Sequence, residues 1–97
     1  MIDLTPENLI IVKNIFSAIL PDGEVFVFGS RAKAPAKGHS DLDLVIKRNG
    51  ALERNVLRKL KTAFEESDLP FRVDIVEWAT AKETFRNIIQ NEMIKIV

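Results

Sequence analysis

Residues 24–47 read EVFVFGSRAKAPAKGHSDLDLVIK. Glu24 to Phe28 is a short run of valine and phenylalanine bounded by Gly23 and Gly29, which suits a buried strand better than a helix. The strand stops at Gly29. Residues 30–40 (SRAKAPAKGHS) carry Arg31, Lys33 and Lys37, a proline and a glycine but no large apolar side chain. They predict a short helical turn followed by a mobile loop. From Asp41 to Lys47 the chain alternates at first, so Asp41 and Asp43 fall on one face of a second strand and Leu42 and Leu44 on the other.

Upstream, Thr5-Pro6 opens a helix: threonine caps free amides, and proline at the first helical position sacrifices no hydrogen bond. Leu9, Val12, Phe16 and Ile19 then share one face, and Pro21-Asp22-Gly23 ends the helix. Downstream, Arg48-Asn49-Gly50 breaks the second strand, and Leu52, Val56, Leu57, Leu60 and Phe64 recur at helical spacing. Ser67 to Pro70 turns into a third strand, Phe71 to Trp78. Thr80 and Glu83 form a capping-box signature for a last helix whose stripe is Phe85, Ile88, Ile89, Met93 and Ile96. The expected order is helix, strand, strand, helix, strand, helix. This is an α+β fold, a small mixed sheet with helices packed on one side.

At 97 residues, 46% of them hydrophobic, the chain is expected to form a single domain spanning 1–97 around one core. Lys+Arg and Asp+Glu are balanced at 14 each, so no global positive field draws the chain onto a long nucleic acid. There are no cysteines, which removes thiolate chemistry and fits a reducing cytoplasm. No stretch approaches the roughly 18 apolar residues of a membrane span.

Asp41 and Asp43 lie on one strand face with about 6–7 Å between their backbone positions, so their carboxylates can converge on shared cations. Hard oxygen ligands suit magnesium, which keeps several waters and takes phosphate oxygens as further ligands. Gly29-Ser30 follows a strand and opens a helical turn, a place where a small residue lets backbone amides approach phosphate. Asp74 interrupts an apolar strand, where a buried unpaired charge would cost several kcal/mol, so it calls for a partner or a metal. Three carboxylates around two cations would clamp the attacking and leaving oxygens of an in-line displacement at phosphorus.

In these residues the chain resembles the minimal nucleotidyltransferases of the DNA polymerase beta superfamily. Their signature is Gly-Ser, ten residues, Asp-x-Asp, and later a strand with a third acidic residue. Here it stands as Gly29-Ser30, ten intervening residues, Asp41-Leu42-Asp43, and Asp74 within Val73-Asp74-Ile75-Val76, with Arg31-Ala32 and Ser40 extending the match. Ala34-Pro35-Ala36-Lys37 departs from relatives that carry a glycine soon after the basic residue. The resemblance implies that Asp41 and Asp43 ligate two Mg2+ ions. Asp74 would complete one site and help to deprotonate the attacking hydroxyl. Gly29, Ser30 and Arg31 would hold the triphosphate of ATP. It also implies an antitoxin partnered with a small helical HEPN-domain ribonuclease toxin and, in some members, adenylylation of a toxin tyrosine. The chain has no tyrosine, so a tyrosine acceptor lies on another molecule.

Plainer readings stand beside these. Asp-x-Asp alone is more often a solvated strand face than a metal site, and Asp74 has an ion-pair candidate in Arg72. Lys33, Lys37 and His39 read as solvated loop residues, and Trp78 and the phenylalanines as core. The apolar tail Ile94-Lys95-Ile96-Val97 offers a partner-binding surface. The alternatives to transfer onto a protein are a catalytically silent module that neutralises a toxin by binding, or transfer to an RNA end.

Overall fold

The structure, a computed structural model, describes residues 2–33 and 41–97. The expected loop, with Lys37, His39 and Ser40, lies outside them. Helix α1 (Pro6–Ile19) leads into β1 (Glu24–Phe28), the helical turn α2 (Ser30–Lys33) and β2 (Leu42–Lys47). Helix α3 (Arg54–Glu65) then connects to β3 (Val73–Glu77), a 3-10 turn (Trp78–Thr80), α4 (Glu83–Ile89) and β4 (Ile94–Lys95).

Helix α1 begins as its sequence dictates: the Thr5 hydroxyl accepts the Asn8 N–H at 3.1 Å, and Pro6 takes the first helical position. The sheet order is β3-β2-β1-β4. β1 pairs antiparallel with both β2 and β4, whereas β2 and β3, linked through α3, run parallel.

Strand alternation sorts side chains into two layers. Val25, Val27, Leu42, Leu44 and Ile46 pack with Val12, Phe16 and Leu20 of α1 and Leu60 and Phe64 of α3. The Phe16 and Phe64 rings, 5.6 Å apart, join the two helices. On the other face Phe28, Val45 and Ile89 form a smaller cluster with Phe26, Val76, Trp78, Phe85 and Met93. The two long helices thus share one face as expected. The short α4 lies on the opposite face, because its Phe85 and Ile89 cover the phenylalanine side of β1.

The C-terminus corrects the sequence reading. The last helix does not run to Ile96: it stops at Ile89, and Ile94–Lys95 becomes a strand on the outer edge of β1. The Ile96 N–H donates to Val25 O at 2.8 Å, and the Val25 N–H donates to Val97 O at 3.2 Å. Ile94-Lys95-Ile96-Val97 is rich in β-branched residues, and the open backbone of β1 gives them ladder partners that a helix extension would forgo. Ile96 is only 8% exposed, so this residue belongs to the core, whereas Lys95 is exposed. Ile88, on the expected stripe, is 68% exposed. The capping box is not made either: Lys82 is the N-cap, without a side-chain bond. The Thr80 hydroxyl instead donates to Glu77 O at 3.5 Å within the 3-10 turn.

A strand and a helical stripe predict different costs for two isoleucines. Ile96→Ala should destabilise the fold by about 2 kcal/mol, and Ile88→Ala should stay within about 0.5 kcal/mol. Urea unfolding followed by circular dichroism measures both; equal losses would restore the helical reading.

Candidate active site

Phe28, Asp43 and Asp74 stand in one row across three strands, since Phe28 is opposite Asp43 in the β1–β2 ladder and Asp43 is opposite Asp74 in the β2–β3 ladder. Neighbouring strands lie about 4.8 Å apart. Two residues upstream of Asp43, Asp41 falls on the same face. The three aspartates predicted from the sequence are therefore brought together, on the face that carries Phe28, Val45 and Phe85.

Gly29 explains how Asp43 fits. Its φ is +74°, a left-handed conformation, and a side chain added there would bring Cβ to 2.5 Å from Asp43 Oδ2. Only glycine avoids both the conformational penalty and the collision. The expected role of this glycine was to let amides meet phosphate. In the structure its N–H donates to Glu92 Oε1 at 3.3 Å. Glu92 had no signal in the sequence, being a polar residue within an assumed helix, yet its carboxylate holds the loop that borders the aspartates.

Ser30 is exposed and opens α2, with the Ala32 N–H donating to Gly29 O at 3.1 Å. Arg31 is directed elsewhere. It is 6% exposed, donates to Asp3 O at 2.8 Å, pairs with the Asp3 carboxylate at 3.7 Å and stacks on Phe71 with 4.0 Å to the ring centroid. Its contacts tie the N-terminal segment to α2.

Asp74 is not a buried charge: its side chain is 48% exposed, and Arg72 Nη2 lies 3.7 Å from Oδ1. The strand tolerates it because β3 is at the sheet edge, and so wide and exposed a pair contributes little stability. Asp43 is the group under electrostatic pressure. Burial, then the neighbouring carboxylates of Asp74 and Asp41, push its carboxyl above the ordinary value of 3.8. Among the described residues no three acidic or histidine side chains form a ready-made metal cage. Magnesium does not require one, since it binds through one or two carboxylates plus phosphate and water. The oxygen donors and the mutual repulsion at Asp43 fit such a cation.

Beside the aspartates runs a groove of about 860 Å³ whose walls include Phe28, Asp43, Asp74, Val76 and Phe85. Phe28 and Phe85 meet edge to face, with centroids 5.6 Å apart and planes at 85°. They form an apolar floor next to the charged row.

A mixed sheet with a glycine-held aspartate pair and a third aspartate on the neighbouring strand defines a nucleotidyltransferase, and the chain belongs to the polymerase beta nucleotidyltransferase family, whose model matches residues 13–97. It is 47% identical over 95 residues to the probable protein adenylyltransferase MntA of Haemophilus influenzae, covering 98% of this chain and 83% of the relative. Two solved structures share the fold. One is a mutant MntA–HpeT toxin–antitoxin complex, with a TM-score of 0.76 and 15% identity over 93% of this chain and 73% of that one. The other is a toxin–antitoxin with AMP-PNP, with a TM-score of 0.77 and 18% identity over the same shares.

Gly29→Ala should cost about 1–2 kcal/mol from the backbone alone, with more from displacing Asp43, as read by chemical unfolding. A cost indistinguishable from zero would mean that the loop does not constrain Asp43. For Asp43→Asn the sign is opposite. An acid whose folded pKa is raised loses stability as pH climbs from its unfolded value through its folded one. Without divalent cations the variant should therefore melt higher than the parent at neutral pH, and the gain should vanish below about pH 4. Added Mg2+ should raise the melting temperature of the parent more than that of the variant; equal shifts in both would remove Asp43 from the cation site.

Proposed function

We propose that this chain is a Mg2+-dependent transferase that moves AMP from ATP onto a tyrosine hydroxyl of a small helical HEPN-type toxin, and so acts as its antitoxin. The observation that carries the reading is the row of Asp43 and Asp74 with Asp41 on the same face, held by the contact between Gly29 and Asp43. The relative described as a probable protein adenylyltransferase supports a protein acceptor, and the fold neighbours from toxin–antitoxin complexes support a toxin partner. The AMP-PNP in one of those neighbours supports an adenine nucleotide as donor. The chain itself has no tyrosine to modify.

In this reading Asp41 and Asp43 hold the cations, with Asp74 as the third ligand. When bound, the ions neutralise charge on the triphosphate and on the attacking and leaving oxygens. Asp74, on the exposed strand, receives the proton of the acceptor hydroxyl. Gly29 and Ser30 border the triphosphate. Arg31 acts through the loop it anchors, and Glu92 keeps Gly29 in place. The whole chain works as one domain in the cytoplasm, a setting its lack of cysteine suits. Among the described residues no helix is long and apolar enough to cross a membrane.

The test adds alpha-labelled ATP, Mg2+ and purified protein to lysate of the source cells, alongside the Asp41→Asn/Asp43→Asn double variant. Label should enter one protein band with the parent and fall at least about a hundredfold with the variant, beyond the cost usual for a residue that merely supports a metal ligand. Equal labelling by a folded variant would overturn the reading, label on RNA would redirect it to an RNA end, and stable toxin binding without label would favour a silent binding module.

A further inference from the structure

β3 ends the sheet, and no strand among the described residues pairs with its outer edge. The Leu42 N–H donates to Arg72 O at 2.8 Å, which fixes the phase of the parallel ladder. Alternate residues turn both backbone groups toward the same neighbour. Arg72, Asp74 and Val76 therefore face β2, and the N–H and C=O groups of Val73 and Ile75 face outward, without a partner among the described residues. All five β3 residues are only half-buried, unlike Leu42, Leu44, Val45 and Ile46 of β2. Edge strands are normally blunted by proline, lysine or a bulge. Val73–Glu77 has none of these; of its two charges Asp74 belongs to the site and Glu77 accepts the Leu52 N–H.

The groove described above follows this edge. Val73, Ile75, Phe64 and Phe71 line it on one side of the strand, Asp74 and Val76 on the other, and it reaches Asp43. The groove and the open backbone edge are thus one continuous feature.

We propose that the acceptor protein docks by adding an extended segment to the outer edge of β3, antiparallel, with its acceptor tyrosine opposite Asp74. This rests on the transfer reading above and specifies how that reaction meets its substrate. Because the backbone groups of Asp74 are turned to β2, a residue opposite it occupies a non-hydrogen-bonded position, where Cα atoms approach to about 4.5 Å and side chains lie closest. That residue projects onto the aspartate face. A serine hydroxyl there stops beside Asp74, while a phenol on its longer stem extends across the roughly 4.8 Å strand spacing toward Asp43. The residues on either side of the tyrosine point to the other face, against Val73, Ile75 and Phe71, and are apolar. Neither is proline, since their backbones bond to Val73 and Ile75. In the transfer the phenol oxygen bonds to the α-phosphorus of the nucleoside triphosphate. The bond from that phosphorus to the bridging oxygen breaks, pyrophosphate leaves with the electron pair, and the phenolic proton passes to Asp74 and then to water.

The probe is the peptide Lys-Thr-Val-Tyr-Val-Thr-Lys, compared with the same peptide N-methylated at both valines. Amide exchange on the unmodified protein, followed by NMR, should show Val73 and Ile75 protected by the first peptide and roughly tenfold or more weaker binding of the second. Equal binding of both peptides, or protection confined to other amides, overturns the proposal whether or not transfer occurs. In the lysate assay Ile75→Pro, which takes an outward N–H from the edge while leaving the ladder to β2 its hydrogen bonds, should lose label on the protein acceptor. Its folding is checked by circular dichroism and its ATP binding by calorimetry. Full labelling by the folded variant also overturns the docking mode, whereas no labelling by the parent protein with peptide protection intact defeats the transfer reading alone.

Discussion

The carboxylate of Asp43 occupies the space that a side chain at position 29 would need, and much of the site follows from that exclusion. β1 must end in a left-handed residue, and the β1–β2 register must set Phe28 against Asp43. The parallel ladder then carries the row one strand further, to Asp74. From the far end of the chain Glu92 accepts the Gly29 N–H and holds the turn from outside. These residues are tied to one another through the strand ladders and the Gly29–Glu92 hydrogen bond.

Around this contact the fold accepts an electrostatic conflict. Asp43 is partly buried beside two carboxylates, a combination that disfavours its charged form. Local conflicts of this kind concentrate at functional sites. The rest of the molecule limits the damage: Asp74 keeps solvent access at the sheet edge, and the large cluster beneath α1 and α3 lies on the opposite face of the sheet.

The two-residue period of DLDLVIK fixes which side chains point together, and that information is local, so the aspartate face and the first three strands could be read directly. The apolar run around Asp74 suggests burial, but its side chain is 48% exposed, because edge position depends on strand order, which no local pattern encodes. Ile94-Lys95-Ile96-Val97 fits a helical stripe or a strand equally well over so few residues. Only the open side of β1, far away in sequence, decides between them. Arg31 displays its charge in the sequence but not Phe71 and Asp3, which engage it. Glu92 was invisible for the same reason as β4, since its partner lies 63 residues away.

That separation imposes an order of assembly. The three aspartates and the strands that align them are all present once β3 has been made, yet the Gly29 turn is still without its carboxylate and the outer side of β1 without its partner strand. Both arrive together, because Glu92 sits immediately before β4. A nascent chain emerging from the ribosome thus contains the Gly29 turn and every acidic residue of the motif before it contains the carboxylate that accepts the turn's N–H. Docking of the final strand completes the sheet and the site in a single event.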